Sequence, residues 1–235
     1  MAYDFLGLVN DVNRRLNEVE LDSSNFATAV GFYSTAKDAV NAAIRQINYL
    51  EYEWPFNHVT QEELLSVDVT RYSYPADAKT IDMDSFRIKR DSTLGNATSR
   101  LHILSYEEYL DKFVDQEYNG DADADLPQAI FRTPDMGYGL VPAPDKAYTL
   151  VYEYYCLPVD LYTYTDVPSI PEQFRSIIVD GAMFYAYQFR GNTEGSSASQ
   201  QKFIEGIKQM RSLYINRTDY IRSTVISKSS IRGQY

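Results

Sequence analysis

With 235 residues, 44% hydrophobic and 23% charged, the chain can bury a sizeable core without disulfide or metal staples, which excludes wholesale disorder. A net charge of −11 disfavours phosphate binding over the whole surface, although an acidic wall suits a channel through which DNA slides without sticking. The lone Cys156 excludes an internal disulfide, and no run of about 18 apolar residues suggests a membrane span.

Met1-Ala2-Tyr3-Asp4 lacks the basic and apolar regions of a signal peptide, so cytoplasmic synthesis is expected, with the sequons at Asn96 and Asn216 unused. Residues 4–20 carry the helical period in Phe5, Leu8, Val9, Val12, Leu16 and Val19. Asp22-Ser23-Ser24 reads as a stop followed by an N-cap. A longer helix is expected over about Asn25–Glu51, with Phe26, Val30, Tyr33, Val40, Ile44 and Ile47 inward and small Ala36, Ala39 and Ala43 beside them. Trp54-Pro55-Phe56 ends it, because proline disfavours helix in the residue before it.

From residue 57 to 165 the period shifts towards two. Strands are expected at His58–Leu64, Arg71–Tyr74, Thr80–Lys89, Ser99–Leu104, Gln128–Arg132, Tyr138–Val141 and Ala147–Leu157, with one short helix at Tyr106–Gln116. Turn chemistry at Pro75-Ala76-Asp77, Leu94-Gly95-Asn96 and Pro142-Ala143-Pro144-Asp145 separates them, as in a small antiparallel domain, closed or sandwich-like. Helix resumes at Pro168-Ser169-Ile170-Pro171-Glu172, runs through Phe174, Ile177, Ile178, Gly181, Tyr185 and Phe189, and stops at Gly191. A polar loop, Asn192–Ala198, then leads to a fourth helix through Phe203, Ile207, Met210 and Tyr214.

The expected fold is α+β: a four-helix bundle-like core (1–56 and 166–216), an inserted antiparallel β-domain (57–165) and an extended C-terminal tail (217–235). In that tail Arg217, Arg222, Lys228 and Arg232 face only Asp219, a local +3 on an acidic protein. A basic segment of this kind can be a frayed terminus or can order on docking to an acidic partner, with Ile221, Val225, Ile226 and Ile231 filling small pockets.

Chemistry-bearing clusters are sparse. The two histidines, His58 and His102, fall on expected strands outside any catalytic motif, and Cys156 has no basic neighbour in Tyr154-Tyr155-Cys156-Leu157 to lower its pKa. Asp121, Asp123 and Asp125 imitate the start of a calcium loop, but Leu126 stands where glycine belongs and Arg132 where the closing glutamate belongs. No glycine-rich phosphate loop follows a strand, so no catalytic residue, metal or cofactor is assigned. The 21 tyrosines suit both half-buried strands and subunit interfaces.

Three features resemble the head–tail adaptor (connector) proteins of tailed phages, of the tail tubular protein A type. They are the helical hairpin Leu6–Leu50 ending in Glu53-Trp54-Pro55-Phe56, the proline-bounded run from Pro142-Ala143-Pro144 through Tyr148, Leu150, Tyr152 and Tyr154 to Pro158, and Asp166-Val167-Pro168-Ser169-Ile170-Pro171-Glu172-Gln173-Phe174 with Asp180-Gly181-Ala182. The resemblance implies a non-enzymatic virion protein at the head–tail junction. It would form a homo-oligomeric ring, commonly a dodecamer, below the portal, joining it to the tail nozzle or neck while DNA passes through the lumen. It also implies a portal-docking role for the tail, namely Arg217, Ile221, Arg222, Val225, Ile226, Lys228, Ile231, Arg232 and Tyr235. The alternatives are another neck or tail-completion ring protein, or a binding module or hydrolase whose tyrosine-rich strands form a ligand site.

Overall fold

The structure, a computed structural model, describes residues 2–89, 98–118 and 124–215. They form two compact units, one within Met1–Phe56 and Pro158–Tyr235, the other within Asn57–Leu157. The architecture is α+β, and the C-terminal tail from residue 216 lies outside the described residues.

Among the described residues the first unit holds four α-helices: α1 (Phe5–Arg15), α2 (Phe32–Leu50), α5 (Arg175–Phe189) and α6 (Thr193–Tyr214). The Asp4 carboxylate caps α1 by accepting the Gly7 amide at 2.7 Å, and Arg14 and Arg15 sit at the negative end of its dipole. The helix buries Phe5, Leu8, Val9 and Val12 but ends five residues earlier than the periodicity predicts. Asn17 takes a left-handed conformation (φ 56°), leaving Val19 exposed. Buried Asn10 then clamps the returning chain, giving its Nδ2 to the Leu21 carbonyl and taking the Leu21 amide, both at 2.8 Å.

Helix α2 starts at Phe32, not at Asn25. The N-cap expected in Asp22-Ser23-Ser24 opens a turn and not the helix: the Asp22 carboxylate accepts the amides of Ser24 (2.8 Å) and Asn25 (3.0 Å), and Gly31 at φ 68° interrupts the helical path. Phe26 is nonetheless buried, edge-on to Phe5 at 5.1 Å, whereas Val30 points to solvent. Helix α6 corrects the other boundary. Asn192–Ala198 is its first turns, opened by the Asn192 side chain accepting the Gly195 amide at 2.9 Å. Serine-rich composition hides a helix that tertiary packing stabilises.

Helix α5 is apolar around its circumference, with Ile177, Ile178, Val179, Ala182, Met183 and Ala186 all buried, as expected for a helix covered by neighbours. It packs against α1, α2 and α6. Gly181 makes the approach possible: a Cβ there would lie 2.6 Å from the Phe203 ring and 2.9 Å from the Ala43 methyl. Trp54 closes the end of α2, donating its indole N–H to the Ile47 carbonyl at 3.0 Å and stacking on Phe56.

The second unit contains strands β1 (His58–Leu64), β2 (Arg71–Ser73), β3 (Ala78–Lys89), β4 (Thr98–Arg100), β5 (His102–Leu104), β6 (Ala129–Thr133), β7 (Gly137–Val141) and β8 (Thr149–Cys156). They form two four-stranded sheets, ordered β1-β8-β3-β4 and β2-β7-β6-β5, around one core of Phe86, Ile88, Ile130, Tyr138, Leu140, Leu150 and Tyr152. The expected strand Ser99–Leu104 divides at buried Leu101, where the chain passes from one sheet to the other. One pairing departs from the antiparallel expectation: β5 and β6 run parallel. A parallel pair needs a crossover, and α3 (Tyr106–Lys112) and α4 (Val114–Tyr118) supply it, dividing the expected single helix around Phe113.

That crossover covers the outer face of the second sheet, so every residue of β7 is buried. Tyr109 stacks on Phe131 with ring centroids 3.8 Å apart, and Phe131 in turn occupies the space a side chain at Gly139 would need. On the inner face Tyr138 stacks on Tyr72 and Tyr74 and donates its hydroxyl to Glu63 at 2.8 Å, a carboxylate shared with Tyr152. Burial, then the Glu63 charge, pushes the Tyr138 and Tyr152 hydroxyls well above the ordinary tyrosine range.

Two outcomes test this packing. Gly181→Val should cost about 1–3 kcal/mol through overpacking at α2 and α6, read from the denaturant midpoint. Because the folded pKa values of Tyr138 and Tyr152 are raised, the stability they contribute is complete below the unfolded value of about 10 and is lost as pH climbs above it. Denaturant melts should weaken above about pH 10, and Tyr138→Phe should flatten that decline while costing about 1–2 kcal/mol at neutral pH.

Candidate interaction surfaces

The residues that could carry chemistry are used locally. His58 meets Glu153 at 3.2 Å on the exposed face of the first sheet, edge-on to Tyr155, and His102 lies exposed on β5. Half-buried Cys156 has its thiol pKa raised by desolvation and then by Asp77. Among the described residues no group of three or more His, Cys, Asp or Glu side chains is placed to hold a metal ion.

Much of the acidic run 107–125 is structural. Glu108 closes a capping box with Ser105 at the start of α3. Glu117 pairs with Arg71 at 2.9 Å and accepts the Tyr109 hydroxyl, tying α4 to β2. Hydrogen bonding to Glu117 raises the Arg71 pKa. Asp125 takes part in a backbone bridge to Pro144, while Asp121 and Asp123 lie outside the described residues.

The helical unit presents three surface features. The first is a depression of about 590 Å³ lined by Asp11, Arg14, Arg15, Gln173, Arg175 and Ser176. Its cations are committed: Arg175 to Asp11 at 2.6 Å, Arg14 to Asp11 and Glu20, Arg15 to Asp180. This arrangement welds α1 to α5.

The second is the segment 158–167, which follows β8. It is fastened from three directions. Buried Leu161 exchanges two 2.9 Å hydrogen bonds with the Asn41 side chain of α2. The amides of Phe5 and Leu6 donate to the carbonyls of Asp166 (2.8 Å) and Tyr164 (3.1 Å). Within the loop, the Asp166 carboxylate accepts the amides of Tyr162 and Thr163, both at 2.7 Å, and the Thr163 hydroxyl. The Thr163 hydroxyl first, then those two amides, hold the Asp166 carboxyl below the usual carboxylate range. On this fixed backbone Val159 is 83% and Tyr162 88% exposed, with Val167 also exposed.

The third is a groove of about 300 Å³ between α2, α5 and α6, floored by Leu50, Phe184, Phe203, Ile204 and Ile207 and edged by Lys208 and Arg211. Arg211 pairs with Glu51 at 3.0 Å.

The docking residues expected from the sequence, Arg217 to Tyr235, lie outside the described residues. The loop at 158–167 was missed as a surface. Thr163-Tyr164-Thr165-Asp166 carries the polar turn chemistry that could have marked it, but exposure of its apolar side chains is a tertiary property.

A family model described as SU10 adaptor protein matches residues 3–227, nearly the whole chain and both units. The chain belongs to the SU10 adaptor protein family. This makes it a phage adaptor, a structural component of the virion in a family that is not enzymatic. No curated protein matches it. For such an adaptor, surfaces are the functional sites, and the pinned loop and the α2–α5–α6 groove are two apolar ones on its helical unit. No helix among the described residues is long and apolar enough to cross a membrane.

Protonation of Asp166 should release the loop. Its folded pKa is lowered, so its contribution is present above the unfolded value of about 3.9 and is lost as pH falls through the folded one. The protection factors of the Tyr162 and Thr163 amides in hydrogen exchange should fall in Asp166→Ala at neutral pH, and in the wild type only at strongly acidic pH.

Proposed function

We propose that the protein is a ring subunit of the head–tail junction, docking beneath the portal and joining it to the tail nozzle or neck. DNA would pass through the ring lumen. The observation that carries this reading is the adaptor-family match over residues 3–227. The likeness to tail tubular protein A in the helical hairpin, the proline-bounded strand and the segment Asp166–Phe174 supports the finer placement. With the insertion ending at Leu157 and not at the expected 165, 1–56 with 158–216 is the ring-forming core in this reading, 57–157 the insertion, and 217–235 the portal-docking tail.

The electrostatics agree with that division of labour. With the chain at −11 and the segment beyond residue 216 at +3, the body carries −14, which keeps it from holding DNA, while the basic segment suits an acidic groove on a partner. Arg217, Arg222, Lys228 and Arg232 would steer it there, and Ile221, Val225, Ile226, Ile231 and Tyr235 would supply apolar anchors.

Light scattering of the full chain, alone and with portal, tests the assignment. The expected result is a ring mass that rises on adding portal. Removing residues 217–235 should abolish the portal-dependent increase without changing the thermal melt of the helical unit. A strictly monomeric protein that ignores portal would refute the reading.

A further inference from the structure

The pinned loop and the apolar groove lie on different sides of the helical unit. Helix α2 touches both. Asn41 and Arg45 face the loop, through Leu161 and Asp160, whereas Gln46 and Leu50 face the groove. At 3.6 residues per turn those two sets are separated by roughly 100–180° around the helix. Helix α1 hydrogen-bonds the loop, and α6 forms the far wall of the groove. The loop of one copy therefore faces away from its own groove.

We infer that the loop 158–167 of one copy docks into the α2–α5–α6 groove of the next, forming the head-to-tail contact that closes the ring. The inference rests on the ring assignment above and names the surfaces that build it. Three observations carry it. The loop is held rigid by Asn41, Asp166 and the start of α1 while Val159 and Tyr162 stand in solvent, so the ordering cost of an interface has already been met in the free subunit. A rigid exposed tyrosine beside an aliphatic residue is the composition of an interface anchor.

Charge complementarity identifies the occupant as a second copy. The loop carries Asp160, 54% exposed and only 3.6 Å from the similarly exposed Arg45, and the groove edge carries Lys208, whereas Asp166 and Arg211 are already committed to the loop's own amides and to Glu51. Lys208 has no carboxylate partner among the described residues. The same charges argue against the chain's own C-terminal tail, because its +3 would meet a basic edge. Finally, two unlike surfaces on one rigid unit generate a heterologous contact, which closes into a ring when the rotation between copies permits.

The test uses the full chain with the photo-cross-linker benzoylphenylalanine replacing Tyr162, mixed with an isotopically heavy copy and irradiated alone and with portal. Cross-linked peptides joining position 162 of the light chain to 184–211 of the heavy chain are expected. Ile204→Glu on the groove should abolish them and reduce the scattering mass, leaving the thermal melt unchanged because Ile204 is 43% exposed. Cross-links confined to one chain, or intermolecular ones to α1 or the β-unit, would overturn the inference. So would rings that persist at full mass in the Ile204→Glu protein, an outcome that leaves the ring assignment standing. A wild-type chain that stays monomeric with portal would instead remove the ring assignment itself, and this contact with it.

Discussion

Everything the helical unit displays depends on the burial of α5. Its apolar residues extend around most of the helix, so α1, α2 and α6 must cover it, while Ser176, Gln188 and Phe189 stay exposed. Gly181 sets how closely they do so, since any side chain there would strike Phe203 and Ala43. With α5 enclosed, α1 is fixed by ion pairs from Arg15 to Asp180 and from Asp11 to Arg175, and α6 is fixed along its Phe203, Ile207 and Met210 face. The loop fastened to α1 and the groove walled by α6 are thereby held as rigid, separate surfaces. An assembly subunit requires that property more than it requires reactive groups, because repeated contacts accumulate error if each copy flexes.

The β-unit obeys a different constraint. Among the described residues eight strands divide into two sheets, and the second is covered on both faces, by the first sheet inside and by α3 and α4 outside. Tyrosine makes this feasible. Tyr72, Tyr74, Tyr138 and Tyr152 fill the interior with stacked rings, and Glu63 accepts the hydroxyls of Tyr138 and Tyr152 that burial would otherwise leave unsatisfied. Much of the tyrosine abundance is thus core material. Among the described residues the most exposed tyrosines, Tyr49, Tyr52 and Tyr162, sit elsewhere, on the helical unit.

Polar residues that suggest chemistry prove to be architectural. Glu117 links β2 to the crossover helices through Arg71 and Tyr109, Glu108 caps α3, and Asn10 and Asn41 clamp irregular chain to helices by paired side-chain hydrogen bonds. Each satisfies backbone or charge that the surrounding packing would leave unpaired. This pattern accords with membership of an adaptor family, where geometry at contacts is the product.

The sequence by itself determined the succession of helix pair, β-insertion and helix pair, because helical and strand periods are local, but it did not show that Ser99–Leu104 divides between two sheets or that the crossover holds two helices. It also located α5 and the lack of a motif for catalysis. Boundaries set by competition were not legible. Asp22 could cap a helix or a turn, and Gly31 with the burial of Phe26 decided for the turn. Asn192–Ala198 looked like a loop until packing made it the start of α6. The parallel pairing of β5 with β6, the sharing of Glu63 by two tyrosines, and the exposure of Val159 and Tyr162 on a fixed loop all join residues far apart in the chain. Periodicity reports only which face of an element is apolar. Whether a partner within the same chain covers that face is settled by tertiary packing, and the faces left uncovered are the ones available for assembly.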